Sequence, residues 1–162
     1  MALLSGQLGA GRFRNERRMF NFPGAYTFTI PAGVTQVFAF VIGGGGGGRG
    51  STESNSGGAG GGYAHGVISG LTPGNTITCT VGQGGTADNN MGLGTSSNGG
   101  TSSFGSYLTG NGGAKGVGNM GSTASTTSSG GTASTSGVSE AFTATGGDGG
   151  LPQTNYSSGG GG

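Results

Sequence analysis

The chain has 162 residues, 45 of them glycine, with 7% charged residues and a formal net charge of +1. That length suits one domain or an elongated rod, and so neutral a glycine-rich chain fits either a packed glycine structure or a low-complexity tract. Four prolines and no sustained Gly-X-Y register exclude collagen. Apolar residues make up 30% of the chain and are concentrated before Phe104, so a small core is expected there and a large one throughout is excluded. A single cysteine, Cys79, excludes an intramolecular disulfide framework and reads as a small core residue. No apolar run is long enough to span a bilayer, so no membrane insertion is expected. The opening MALLSGQLGAGRF lacks the order of a secretory signal. Synthesis in the cytoplasm and release by another route, such as lysis, is expected.

Residues 1–20 stand apart from the rest. Arg12, Arg14, Arg17 and Arg18 are four of only six basic residues, and Phe13 and Phe20 lie among them. This pattern predicts an arm that anchors the chain to a partner. Residues 15–20 have room for one helical turn, whereas Gly6, Gly9 and Gly11 oppose a long helix. Glu16 interrupts the basic cluster and no base-stacking motif accompanies it, so no nucleic-acid partner is expected.

Residues 21–118 read as a glycine-rich β domain. In 26–30, Tyr26, Phe28 and Ile30 alternate with Thr27 and Thr29, the pattern of a strand with one wet face. After a turn at Pro31-Ala32-Gly33, residues 37–42 are apolar on both faces, with Val37, Ala39 and Val41 opposite Phe38, Phe40 and Ile42. A two-sided apolar strand must be covered on both sides. One cover is expected from the same chain and the other from a neighbouring copy, with Val37, Phe38, Phe40 and Ile42 in the oligomer core.

That strand runs directly into six glycines, 43–48. Glycine loses more backbone freedom on ordering than any other residue, so an ordered block needs compensation. Extended polyglycine helices with three residues per turn leave their backbone groups free for neighbours, and Cα–H···O contacts add a second-order contribution. Further glycine blocks follow at 57–62, 82–85, 110–118, 146–150 and 159–162. Between them come a polar loop at 49–56, a turn at LTPGN (71–75), an alternating strand at 76–81, and a polar loop at 86–100. Residues 101–108 (TSSFGSYL) read as a strand. Residues 119–162 read as a Gly/Ser/Thr-rich tail with loops, linker-like over 120–137 and weakly strand-like around Phe142. The uneven spacing of the blocks suggests a stack of extended runs rather than a fixed-length solenoid.

No enzyme constellation is visible, and no cofactor is expected. His65 is the only histidine, which excludes a histidine-based metal cluster within one chain. Residues 43–48 are not a phosphate loop, because no Lys-Ser/Thr follows and no helix begins. Asp88, Asn89 and Asn90 lack EF-hand spacing, and Glu140 and Asp148 show no paired-carboxylate pattern. A ligand surface, if present, belongs on the loops. The candidates are Asn89, Asn90, Met91 and Leu93 in 86–98, and Leu151 and Tyr156 in 151–156.

Four motifs in order, YTFTIPAGVTQVFAFVIGGGGGG (26–48), GGAGGGYAHGVI (57–68), LTPGNTITCTVGQGG (71–85) and TSSFGSYLTGNGGAKG (101–116), resemble the glycine-rich domain of bacteriophage tail-fibre and adhesin proteins. The resemblance covers residues 22–116 closely and the tail loosely. It implies a virion component, often trimeric, involved in host attachment. It also implies layered polyglycine helices whose loops touch the host receptor, a surface glycan or outer-membrane protein. The chain departs from the pattern in its shortness and its Arg-rich opening. The combined expectation is an all-β, sandwich-like domain with polyglycine II segments, oligomeric (a homotrimer favoured) and fibrous, attached to tail or capsid proteins. A capsid-attached decoration protein without direct receptor binding is one alternative. A glycine-rich ice-binding protein, using flat Thr/Ser faces, is another.

Overall fold

The structure, a computed structural model, describes residues 2–8, 17–50, 54–88, 95–117, 127–151 and 153–154. Its strands are β1 (Ala2–Leu8), β2 (Arg18–Phe20), β3 (Gly24–Thr29), β4 (Val34–Ile42), β5 (Ser54–Asn55), β6 (Tyr63–Ser69), β7 (Thr76–Val81), β8 (Ser102–Phe104), β9 (Leu108–Gly110), β10 (Ala133–Thr135), β11 (Ser139–Ala144) and β12 (Gln153–Thr154). Among the described residues there is no helix. One five-stranded sheet has the order β11-β6-β4-β1-β2, a second has the order β10-β9-β8-β7-β3, and β12 pairs with β5. Every strand pair is antiparallel.

The period-2 pattern of the strands builds the core. In β4, Val37, Ala39 and Val41 point inward, and in β6 Ala64 and Ile68 do the same. They meet Phe28, Ile77, Cys79, Phe104 and Leu108 from the second sheet. Gly66 also lies on the inner face of β6, where a Cβ would press on Val138 Cγ2 at 2.9 Å. Two turns require left-handed backbone, with Gly33 at φ 79° and Gly74 at φ 88°, which costs glycine little.

Three expectations change. Residues 101–108 are not one strand but a hairpin, β8–β9, because Phe104 and Leu108 are both interior and the chain reverses over 105–107. The described residues of the opening segment join the first sheet. β1 lies between β4 and β2 within the first sheet, and residues 18–20 form a strand rather than a helical turn. Residues 127–137 are not a linker, since 127–132 bonds to neighbouring runs and β10 pairs with β9. Their Ser/Thr/Gly composition resembles a linker locally, but long-range pairing determines their structure. The strand expected around Phe142 is β11, paired with β6.

The glycine-rich segments form the other half of the molecule. Seven extended runs, at 43–48, 57–62, 82–88, 95–100, 111–117, 127–132 and 145–150, bond to one another through main-chain groups. The bonds recur every three residues. Gly43 and Gly46 donate to the carbonyls of Gly62 and Ala59, and Gly44 and Gly47 to those of Gly100 and Ser97. Gly85 and Asp88 donate to Gly45 and Gly48, and Gly113 and Gly116 to Gly44 and Gly47. This is the repeat of a three-residue-per-turn extended helix. The descending order of partners makes 57–62 and 95–100 antiparallel to 43–48, while the ascending order makes 82–88 and 111–117 parallel to it.

All of these bonds fit two layers of a triangular lattice. Runs 82–88, 43–48, 57–62 and 145–150 lie side by side in one layer. Runs 95–100, 111–117 and 127–132 nest in the grooves of the other, and every neighbouring pair is hydrogen-bonded. The close approach explains the glycines. A Cβ on Gly43, Gly46, Gly47, Gly61 or Gly113 would overlap the carbonyl oxygen of Asn111, Ala114, Thr86, Gly43 or Ala59, respectively. Gly45 and Gly84 face outward, where a Cβ on Gly45 would find only the Ala59 oxygen, at 3.6 Å, and one on Gly84 nothing within 4 Å. Each bond contributes about 0.5–1.5 kcal/mol net, while ordering a residue costs about 1–2 kcal/mol. A lone run therefore does not hold. Runs 43–48, 57–62 and 111–117 are stabilised because each bonds to four neighbours.

Candidate functional site

The topology separates the molecule into two ends. Run 43–48 leaves β4, run 82–88 leaves β7, run 111–117 follows β9, and run 145–150 follows β11. Runs 57–62, 95–100 and 127–132 return to β6, β8 and β10. Outgoing and incoming runs therefore alternate along the chain. The connections 49–56, 89–94 and 118–126, and the chain after Gly150, all start at the end away from the sheets. A run of six residues at about 3.1 Å each puts this tip about 19 Å beyond the sandwich.

The described part of the tip is stapled. Arg49 and Ser56 exchange reciprocal backbone bonds of 3.0 and 3.1 Å, and Arg49 also bridges to Asp88 in parallel. The Asp88 N–H donates to the Gly48 carbonyl at 3.0 Å. Gly116 packs against this corner, where a Cβ would meet Arg49 N and the Ser56 carbonyl oxygen at 2.7 Å. Across it, β12 pairs with β5 through Gln153↔Asn55 and Thr154↔Ser54, tying the chain after Gly150 to the 49–56 loop.

Of the receptor-loop candidates, Leu151 is at the tip and 48% exposed. Asn89, Asn90, Met91, Leu93 and Tyr156 lie outside the described residues, in connections that begin at the same end. Of the anchoring candidates, Arg17 and Arg18 are exposed, and Arg12, Phe13 and Arg14 lie outside the described residues. Phe20 stacks on Tyr26 with ring centroids 4.8 Å apart. That contact links β2 and β3, the edge strands of the two sheets. A cavity of about 250 Å³ lies beside it, lined by Arg18, Phe20, Thr27, Phe28, Thr29 and Pro31. Among the described candidates, Arg18 and Phe20 therefore lie in the first sheet and Leu151 at the tip.

The four oligomer-core candidates divide by face. Val37 is 1% exposed and belongs to the core between the sheets. Phe38, Phe40 and Ile42 lie on the outer face, with Ile42 40% exposed. There they join Tyr63, His65 and Phe142, which were not among the oligomer-core candidates. Phe38 meets His65 at 5.5 Å and Phe40 meets Tyr63 at 6.1 Å. Phe142 stacks on His65 at 5.4 Å, and His65 Nδ1 lies 3.0 Å from the Tyr63 hydroxyl. The alternation of 63–69 contains the signal for Tyr63 and His65. Phe142 joins them only through the pairing of β11 with β6.

The outer surface of the three-run layer is polar. Thr101 Oγ1 donates to Asn111 Oδ1, and Asn111 Nδ2 to Thr132 Oγ1 at 2.9 Å. Among the described residues, no group of three His, Cys, Asp or Glu is placed to hold a metal ion. Burial pushes the Cys79 thiol up to about 11, which keeps it neutral.

Residues 21–162 match the family profile described as a glycine-rich domain. The chain belongs to that family. A search of curated proteins finds no match. The match places the second half of this glycine-rich domain, including 127–150, within the same family unit as the polyglycine strand entry at 37–48.

Proposed function

We propose that this glycine-rich domain protein is a bacteriophage virion component, a tail-fibre or adhesin subunit that presents loops to the host surface. The observation that carries the reading is the segregation of ends: the lattice gathers its connecting loops at one tip, opposite the sheets. Loops on a rigid scaffold are the usual place for recognition, and main-chain bonding leaves their sequences free to vary. In this reading, Asn89, Asn90, Met91, Leu93, Leu151 and Tyr156 face a host glycan or outer-membrane protein. The basic opening segment faces tail or capsid proteins. The outer aromatic face of Phe38, Phe40 and Ile42 packs between copies, with a trimer favoured. The protein is made in the host cytoplasm and leaves by lysis within the virion.

Purified protein at saturating concentration is expected to block adsorption of the particles that carry it. No competition would overturn the adhesin reading and favour a capsid-attached decoration protein. Replacing Arg12, Arg14, Arg17 and Arg18 by alanine removes the basic cluster without deleting β1 or β2. Normal incorporation of that variant would refute the anchoring role. A second reading, an ice-binding protein, draws on the Thr101-Asn111-Thr132 ladder across a flat layer. Absence of thermal hysteresis would remove it.

A further inference from the structure

Of the four strands that end the two five-stranded sheets, β3 is the one without a guard. Exposed sheet edges invite pairing with other chains, and proteins block them with short strands, charge, proline or bulges. β2 and β10 have three residues each, and β2 carries Arg18. β11 carries Glu140 and a register shift between Ser139 and Phe142. β3, GAYTFT, has six residues and neither charge nor proline. Its register against β7 is unshifted from Gly24↔Val81 to Thr29↔Thr76.

The hydrogen-bond phase shows which groups face its outer edge. Ile30 N–H donates to the Asn75 carbonyl. The Thr78 carbonyl, opposite Thr27, accepts from Gly105 on the β8 side instead. Antiparallel pairs alternate between bonded and non-bonded, so Tyr26, Phe28 and Ile30 bond toward β7. The N–H and C=O of Thr27 and Thr29 point the other way.

Open space lies there. The cavity of about 250 Å³ is lined by three consecutive strand residues, Thr27, Phe28 and Thr29. Consecutive residues face opposite sides of a sheet, so a cavity that touches all three runs along the strand's edge. The two side seams of the sandwich differ in this respect. On one side β10 packs on β11 and β6. On the other, Phe20 stacks on Tyr26, and beyond that contact the seam opens toward Arg18 and Pro31.

The lining selects the occupant. Outward main-chain groups suit an extended peptide, and Phe20, Phe28 and Pro31 offer apolar walls to one of its side chains. Arg18 adds an exposed positive charge. The described acidic residues lie elsewhere: Glu140 in β11 at the far edge of the first sheet, Asp88 and Asp148 in the glycine runs. A carboxylate therefore complements this seam.

We propose that β3 accepts an extended segment of a partner protein as an added strand, with an apolar side chain in the cavity and a carboxylate on Arg18. This deepens the anchoring reading, on which it rests for the partner's place in the particle.

The test titrates the full chain with a capped synthetic peptide that alternates valine with threonine around one central glutamate. At saturation, exchange of the Thr27 and Thr29 amides is expected to slow by about tenfold or more. Gly47 and Gly113 serve as folding controls and stay slow throughout. A peptide with lysine in place of the glutamate should bind about fivefold more weakly at low salt, and Arg18→Glu should reverse that preference. Thr27→Pro removes one outward N–H at a position where an edge strand tolerates proline, and should abolish the protection of Thr29. N-methylation of the peptide amides should do the same on the unaltered chain. Unchanged exchange of Thr27 and Thr29 at saturating peptide would overturn the proposal, even if binding follows the charge at residue 18. Equal affinity for the two peptides would overturn the acidic partner. Protection that grows with protein concentration in the absence of peptide, alongside a doubled mass, would assign the edge to a second copy and overturn it as well. No particle enters the readout, so failure here is distinct from failure of the anchoring reading, which the four-arginine variant tests.

Discussion

The two ends of this molecule are held by opposite means. The sandwich is held by side chains, with Phe104, Leu108, Val37 and Ile68 fully buried between its sheets. The lattice is held by main chain, and its interior positions exclude side chains because carbonyl oxygens occupy the space a Cβ would need. In the first region, removing atoms is harmful. In the second, adding them is. The same backbone that supplies sheet ladders can therefore make a second kind of packed solid, provided each run has several neighbours.

Substitutions can break this comparison. The largest effect is expected from Phe104→Ala, which opens a cavity between the sheets and should cost about 3–5 kcal/mol in chemical denaturation. Gly47→Ala adds one methyl group against the Thr86 carbonyl and should cost about 1–3 kcal/mol or more, as overpacking does. Gly45→Ala, two residues away in the same run, faces open space and should be neutral or stabilising by about 0.4–1 kcal/mol through the unfolded state. Equal effects at Gly45 and Gly47 would remove the distinction between lattice and ordinary loop. Ser128→Ala takes a buried hydroxyl from the Gly57 carbonyl, a 3.2 Å bond, and should cost about 1 kcal/mol.

The smallest effect concerns pH. Burial raises the folded-state pKa of Cys79 from 9.0 to about 11. Its contribution is fully present below about pH 9 and is lost as pH rises toward about 11, because the unfolded thiol ionises first. The melting temperature of the native chain should therefore fall relative to Cys79→Ala over that interval. A constant difference between the two would place the thiol in a wetter site than the sandwich core.

Much of the sandwich was legible because its signals are local. The alternation of 26–30 and 76–81 gave strands with correct inward faces, and 37–42 was legible as a two-sided strand, although Val37 lies on the inner face and not with Phe38, Phe40 and Ile42. Polyglycine at 43–48 and 57–62 announced extended runs, because no other ordered use of such blocks is available. The lattice arrangement was not legible. TSSGGT at 127–132 has the composition of a flexible linker, and only its bonds to 111–117, 57–62 and 145–150 make it structural. The pairing of β1 with β4 is likewise non-local, and Gly6 interrupts its pattern. At the tip, the loops were proposed from composition, but their convergence follows from run direction. No stretch of sequence marks Arg49, Ser56 and Asp88 as neighbours.

The claim that bare glycine runs form a bonded solid is tested most directly by residue-resolved amide exchange across 43–48. Gly43, Gly44, Gly46 and Gly47 each donate to a defined carbonyl, whereas Gly45 and Gly48 have no acceptor among the described residues. The expected result is four slow amides interrupted by fast ones at Gly45 and Gly48. Uniformly fast exchange through all six would contradict it.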